Sequence, residues 1–189
     1  AEVPEYPNVF NPDETGLQDV LFMGVHSFGG LGASMKGMAV GRKQGSAQWH
    51  IYEFSNDGLS IGDRARCSGY YTFMPSAGDE DSWQFASSCY FNNIFFYASG
   101  NKIYRWYYNT ATSFPTEPWR TLDDLEGAEI TSLAVSPDNQ QLYVGVYQPQ
   151  ASGLNGSFYL LNCNTGKNEG DSPYLNVAYK PLKVVYKPR

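Results

Sequence analysis

Cysteine, histidine and runs of basic residues are all scarce in this 189-residue chain, and each scarcity argues against a class of function. The three cysteines, Cys67, Cys89 and Cys163, are too few and too scattered for a disulfide framework or a zinc site. Cys89 and Cys163 fall inside apolar runs, where a free cysteine behaves as a small hydrophobe, so buried and inert thiols are expected. One bridge stays open as an alternative in an oxidising compartment. The only histidines, His26 and His50, have no Cys, Asp or Glu at ligand spacing, which argues against a metal or catalytic role. Thirteen Lys plus Arg stand against nineteen Asp plus Glu, a net charge of −6. With no basic run, nucleic-acid binding lacks its electrostatic footprint. The longest apolar stretch is far short of the ~20 residues that a transmembrane helix needs. Ala1-Glu2-Val3-Pro4 offers neither a charged leader region nor an apolar one, so a mature, truncated or excised chain is expected.

What the chain does have is aromatics and turn formers. Fifteen Tyr, eleven Phe and four Trp pack well on a pleated surface, while nineteen Gly and eleven Pro interrupt helices. An all-β fold follows. The clearest stretch runs from Glu129 to Asn168. Ile130 to Val135 reads as a strand, Ser136-Pro137-Asp138-Asn139 as its turn, and Gln141 to Tyr147 as the return. After a polar loop, Ser157 to Cys163 is a third strand, closed by Asn164-Thr165-Gly166.

The same unit recurs upstream. Val20 to Val25, Met35 to Gly41 and Trp49 to Phe54 form the first set of strands. Trp83 to Phe91, Ile94 to Ser99 and Lys102 to Tyr108 form the second, with Asn92-Asn93 and Gly100-Asn101 as turns. The third strands align as Ile51-Tyr52-Glu53-Phe54, Ile103-Tyr104-Arg105-Trp106 and Phe158-Tyr159-Leu160-Leu161. Their tyrosines are 52 and 55 residues apart, close to the period of propeller blades. In each, the Tyr and the bulky residue two positions on share one strand face, which is expected to pack between neighbouring sheets. Leu175 to Tyr179 and Leu182 to Tyr186 read as two more short strands, the last bounded by Pro181 and Pro188 as suits an edge.

The expected architecture is therefore repeated antiparallel three- to four-stranded units of about 50 residues, β-propeller-like, as a partial or open array. Residues 1–19 are expected to be a linker or N-terminal arm. Residues 20–189 are expected to be a single domain of three repeats plus a C-terminal partial unit.

Tyr97 to Arg105, Ile130 to Val135 with Ser136-Pro137-Asp138, and the terminal Leu182-Lys183-Val184-Val185-Tyr186-Lys187 carry a family likeness. In their order they resemble the C-terminal, propeller-like region of the PKD-like family lipoproteins of Bacteroidetes. The resemblance spans roughly Val20 to Arg189. It implies an upstream lipid anchor, a place at the outer-membrane surface or in the periplasm, and an accessory role in nutrient acquisition. It carries over no catalytic residue. The PKD-like part and a lipobox cysteine near Ala1 are both missing from this sequence.

Candidate chemistry is thin. Phe28-Gly29-Gly30-Leu31-Gly32 lacks the Gly-Lys-Ser/Thr ending of a phosphate loop, so a hairpin loop is the simpler reading. Asp79-Glu80-Asp81 clusters carboxylates without the alternating pattern of a calcium loop, and a solvated acidic loop accounts for it. Tyr70, Tyr71, Trp83, Trp106 and Trp119, with Asp79, are the residues singled out for ligand contact, since flat rings beside polar neighbours can stack on sugars or on a partner's side chains. No catalytic residue, metal site or cofactor is expected. The expected function is non-catalytic binding of a glycan or protein partner at the cell surface by a monomer, with no nucleic acid and no transmembrane segment. The alternatives are a polysaccharide-acting enzyme on the same scaffold, using Asp79, Glu80 or Asp81, and a structural spacer.

Overall fold

Short apolar and aromatic runs between turn residues should pair as antiparallel strands, and in the computed structural model they do. It describes residues 17–27, 35–43, 45, 47–55, 66–72, 82–87, 94–107, 114–136 and 138–183. Among these there is no α-helix, and no helix is long and apolar enough to cross a membrane. Residues 1–16 of the expected arm, the glycine-rich loop at 28–32, the Asn92-Asn93 turn and the final strand beyond residue 183 lie outside the described residues, and residues 17–19 of that arm belong to a strand. The chain divides into two units, Ala1–Pro75 and Ser76–Arg189.

The first unit holds one four-stranded sheet in the order β1 (Leu17–Ser27), β2 (Met35–Lys43), β3 (Trp49–Ser55) and β4 (Arg66–Thr72). All neighbours are antiparallel. β1 starts at Leu17, before the compact apolar run, and two register shifts let it follow β2 to Lys43. Ala39, Val40, Trp49 and Ile51 are buried, and the Arg42 guanidinium lies 4.9 Å over the Trp49 ring.

The second unit holds two more four-stranded antiparallel meanders. One runs β5 (Gln84–Ser87), β6 (Ile94–Ser99), β7 (Lys102–Tyr107) and β8 (Arg120–Thr121). The other runs β9 (Glu129–Val135), β10 (Gln141–Tyr147), β11 (Gly156–Asn162) and β12 (Tyr174–Ala178). The three aligned segments are thus the third strands of three sheets. β4 and β8 complete each meander without an apolar run of their own.

Turn chemistry sets the registers. Gly100 takes φ 58°, the positive value that a two-residue hairpin demands at its first central position, and Ser99 pairs with Lys102 across it. Between β9 and β10 the Asp138 carboxylate accepts from the Ser136 hydroxyl and, at 3.1 Å, from the Gln140 amide. The Ser136 hydroxyl, then the Gln140 amide, hold that carboxyl below its usual pKa. Asn139 then turns the chain at φ 58°, and its amide bonds back to the Ser136 carbonyl at 2.9 Å. After β11, the Asn162 side-chain oxygen accepts from the amides of Asn164 and Thr165, each at 3.0 Å.

Within the second unit the core lies between the two sheets. Ile94, Phe96 and Ala98 of β6, with Ile103 of β7, pack against a cluster that includes Leu133, Leu142, Val144, Val146, Tyr159 and Leu161. Register explains the grouping, because Val144 stands opposite both Leu133 and Tyr159, and Leu142 opposite both Val135 and Leu161. Tyr159 and Leu161 therefore do share a buried face between sheets. The matching pair in β7 lies on the other face of its sheet, where Trp106 is buried while Tyr104 is only half-buried.

Cys163, just past β11, is a free, fully buried thiol in this core. Burial pushes it up to about 12 from an ordinary 9.0, partly opposed by Arg105. Because the folded value is the higher one, the unfolded chain loses this proton first, and stability should fall as pH rises from about 9 to about 12. Iodoacetamide at pH 8, read by peptide mass spectrometry, should leave Cys163 unlabelled until the chain unfolds. Fast labelling of the native chain would place the thiol at the surface.

Candidate functional site

Strand alternation gives the third sheet a second face, opposite the core. On β10 it carries Gln141, Tyr143, Gly145 and Tyr147, paired in turn with Asn162, Leu160, Phe158 and Gly156 of β11. Phe158 in turn stands opposite Tyr174 of β12. Three rings thus form a row across three strands. Tyr143 and Phe158 are diagonal neighbours with centroids 6.0 Å apart, and Phe158 and Tyr174 are direct neighbours at 6.2 Å. Their planes are inclined to one another by only 38° and 32°. Gly145 opposite Phe158 has no side chain to separate the first two rings. Tyr143 and Phe158 are partly exposed and Tyr174 is 40% exposed.

A polar network borders this row. The Tyr143 hydroxyl donates to Gln141 Oε1 at 2.9 Å, and Gln141 Nε2 donates to Glu169 Oε2 at 2.9 Å. Asn162 Nδ2 donates to the other Glu169 oxygen at 2.7 Å. The carboxylate is therefore held between two amides, one on each oxygen. Glu169 itself is fixed by its backbone, whose amide bonds to the Leu160 carbonyl at 2.8 Å. Such an arrangement can stack on a flat, weakly polar surface and offer paired acceptors along one border.

The residues singled out from sequence lie elsewhere. Trp106 is 1% exposed and Trp83 6%, so both are core residues rather than surface rings. They belong to an aromatic cluster on the other face of the second sheet. Trp106 meets Phe95 and Phe114, with centroids 6.5 and 5.9 Å away, and Trp83 meets Tyr97 edge-on at 6.1 Å. Trp119 is half-buried against the core, with its ring 5.3 Å from that of Phe96 and the Arg105 guanidinium 5.0 Å over it. Tyr70 and Tyr71 lie within strand β4, where their backbones pair with Tyr52 and Ile51. Asp79, with Glu80 and Asp81, lies outside the described residues. Among the described residues no three His, Cys, Asp or Glu side chains gather as a metal site would require.

Sequence reading passed over Tyr143, Phe158, Tyr174, Gln141, Asn162 and Glu169. The signal was partly present, since Gln141 and Tyr143 alternate with Leu142 and Val144, as Phe158 and Leu160 do with Tyr159 and Leu161. It was not decisive, because both alternating sets in β11 are apolar. No protein-family model matches the chain, and no curated protein sequence does either.

Proposed function

We propose that this chain is a non-catalytic binding module, built as a propeller-like stack of β-sheets, that acts at the cell envelope as an accessory to the capture of glycans or other nutrients. The carrying observation is the outer face of the third sheet, where three partly exposed rings lie in a row beside a fixed polar network. A rigid sheet that presents rings and satisfied amides is suited to holding a ligand. The propeller-like reading draws support from three successive four-stranded meanders and from the recurrence of one tyrosine motif in the third strand of each. It gains further support from the packing of the second sheet against the third through one shared apolar core. The outer-membrane or periplasmic setting rests on the resemblance to the PKD-like family lipoproteins.

A glycan array combined with a turnover screen on polysaccharides tests this reading. The expected result is binding with no release of new chain ends. Bond cleavage that disappears in Asp79→Ala, Glu80→Ala or Asp81→Ala would establish the enzyme reading instead. Binding to neither glycans nor envelope proteins would leave the chain a spacer.

A further inference from the structure

We infer that the Tyr143–Phe158–Tyr174 row and the Gln141–Glu169–Asn162 network form one subsite, and that its ligand is a neutral glycan chain lying across β10, β11 and β12. This rests on the binding-module reading and names its ligand class and position.

The rings supply the first half of the argument. They span three adjacent strands as a strip of rings, and neighbouring planes are inclined by 38° and 32° rather than set edge to face. A pyranose ring presents a flat patch of C–H bonds, and a chain of such rings can meet successive aromatic faces. The network supplies the second half. Glu169 is pinned through both oxygens by the amides of Gln141 and Asn162, and the Tyr143 hydroxyl is committed to Gln141, so these groups are ordered before any ligand arrives. Each carboxylate oxygen retains acceptor capacity, and two oxygens in one plane match two neighbouring hydroxyl donors. One side of the subsite therefore stacks while the other accepts hydrogen bonds.

Charge selects among glycans. Glu169 is the charged group of the network, and the chain as a whole carries −6. A uronate or sulfated sugar would bring a second anion against that carboxylate, so neutral chains are favoured. A second exposed apolar stretch among the described residues, Leu175, Val177, Tyr179 and Leu182, has a different character. It is largely aliphatic and stands beside Lys180 and Lys183, and nothing in the structure shows what covers it.

Affinity electrophoresis of the full chain through gels containing galactomannan, xyloglucan, hydroxyethylcellulose or polygalacturonate tests the assignment. At least one neutral polymer should retard the chain, and polygalacturonate should not. Tyr174→Ala, at an exposed position, should weaken retardation about tenfold without moving the melting temperature. Glu169→Gln keeps the shape and removes the charge, and it should weaken neutral binding by about the same factor. If a glycan retards the chain and both variants behave as wild type, the subsite is wrong while the binding-module reading stands. If no polymer retards the chain, or only polygalacturonate does, the neutral-glycan assignment is overturned. Sedimentation supplies an independent readout. A tight dimer that Tyr174→Ala dissociates would show that a second copy covers this face, which also overturns the proposal.

Discussion

Tyr159→Ala is expected to destabilise the second unit by about 3–5 kcal/mol, the usual range for losing a large ring from a closed core. The ring is fully buried, opposite Val144 of β10, in the cluster that joins the two sheets. Its hydroxyl reaches the edge of that core and donates to Asp124 Oδ2 at 3.1 Å. Burial, and then the Asp124 charge, raise the phenol above its ordinary pKa, which favours the protonated, donating form in the folded chain. Tyr159→Phe keeps the ring and removes one hydrogen bond, and should cost only about 1 kcal/mol because Asp124 is exposed and water can replace the lost donor. Chemical denaturation of both variants separates the two contributions. Equal losses would mean that the hydroxyl, not the packing, holds this seam. A loss below about 1 kcal/mol in both would mean that the ring is not buried between sheets.

Gly156→Ala should also destabilise the fold, by less and for a different reason. After β12 the chain returns over the outer face of the third sheet. Lys180 lies 5.0 Å over the Tyr147 ring, and the Thr131 hydroxyl donates to the Pro181 carbonyl. This strap passes so close to β11 that a methyl group on Gly156 would sit 2.2 Å from the Tyr179 carbonyl oxygen, 2.9 Å from Pro181 Cδ and 3.0 Å from the Ala178 carbonyl oxygen. Two of those obstacles are backbone, so no side-chain rotation relieves them. Overpacking of this kind costs about 1–3 kcal/mol, and detachment of the strap sets a ceiling on it. Hydrogen exchange should show faster exchange over residues 178–183 in the variant, together with a lower melting temperature. Unchanged exchange there would mean that the strap does not lie against Gly156.

The sequence made the strands of the second unit legible because each interior strand couples a turn with known chemistry to an apolar run, as at Ser136 to Asn139 and at Gly100-Asn101. The third strands were legible as a repeat for the same reason. β4 and β8 were not, since edge strands such as Arg120–Thr121 are fixed by their partner's backbone rather than by burial of their own side chains. The tryptophans misled for a related reason. Arg105 and Tyr107 flank Trp106 in sequence but point to the opposite face, so polar neighbours along a strand say nothing about the side a ring is on. The outer face of the third sheet stayed hidden because β11 is apolar on both faces, and only the location of the second sheet decides which face is core.

The joint between the second and third sheets also bears on how the chain can be divided. The Ile130 amide bonds to the Gly100 carbonyl at 2.8 Å, so the tip of one hairpin is tied to the strand that opens the next sheet. Further along β7, the Arg105 guanidinium donates to the carbonyls of Cys163 and Asn164 beyond β11. The repeat visible in sequence is therefore not a severable module. A fragment cut before Glu129 would strand the Gly100 carbonyl and the Arg105 guanidinium, and would open a whole apolar sheet face to water. Shuffling or grafting these meanders has to take them in pairs, with the seam intact.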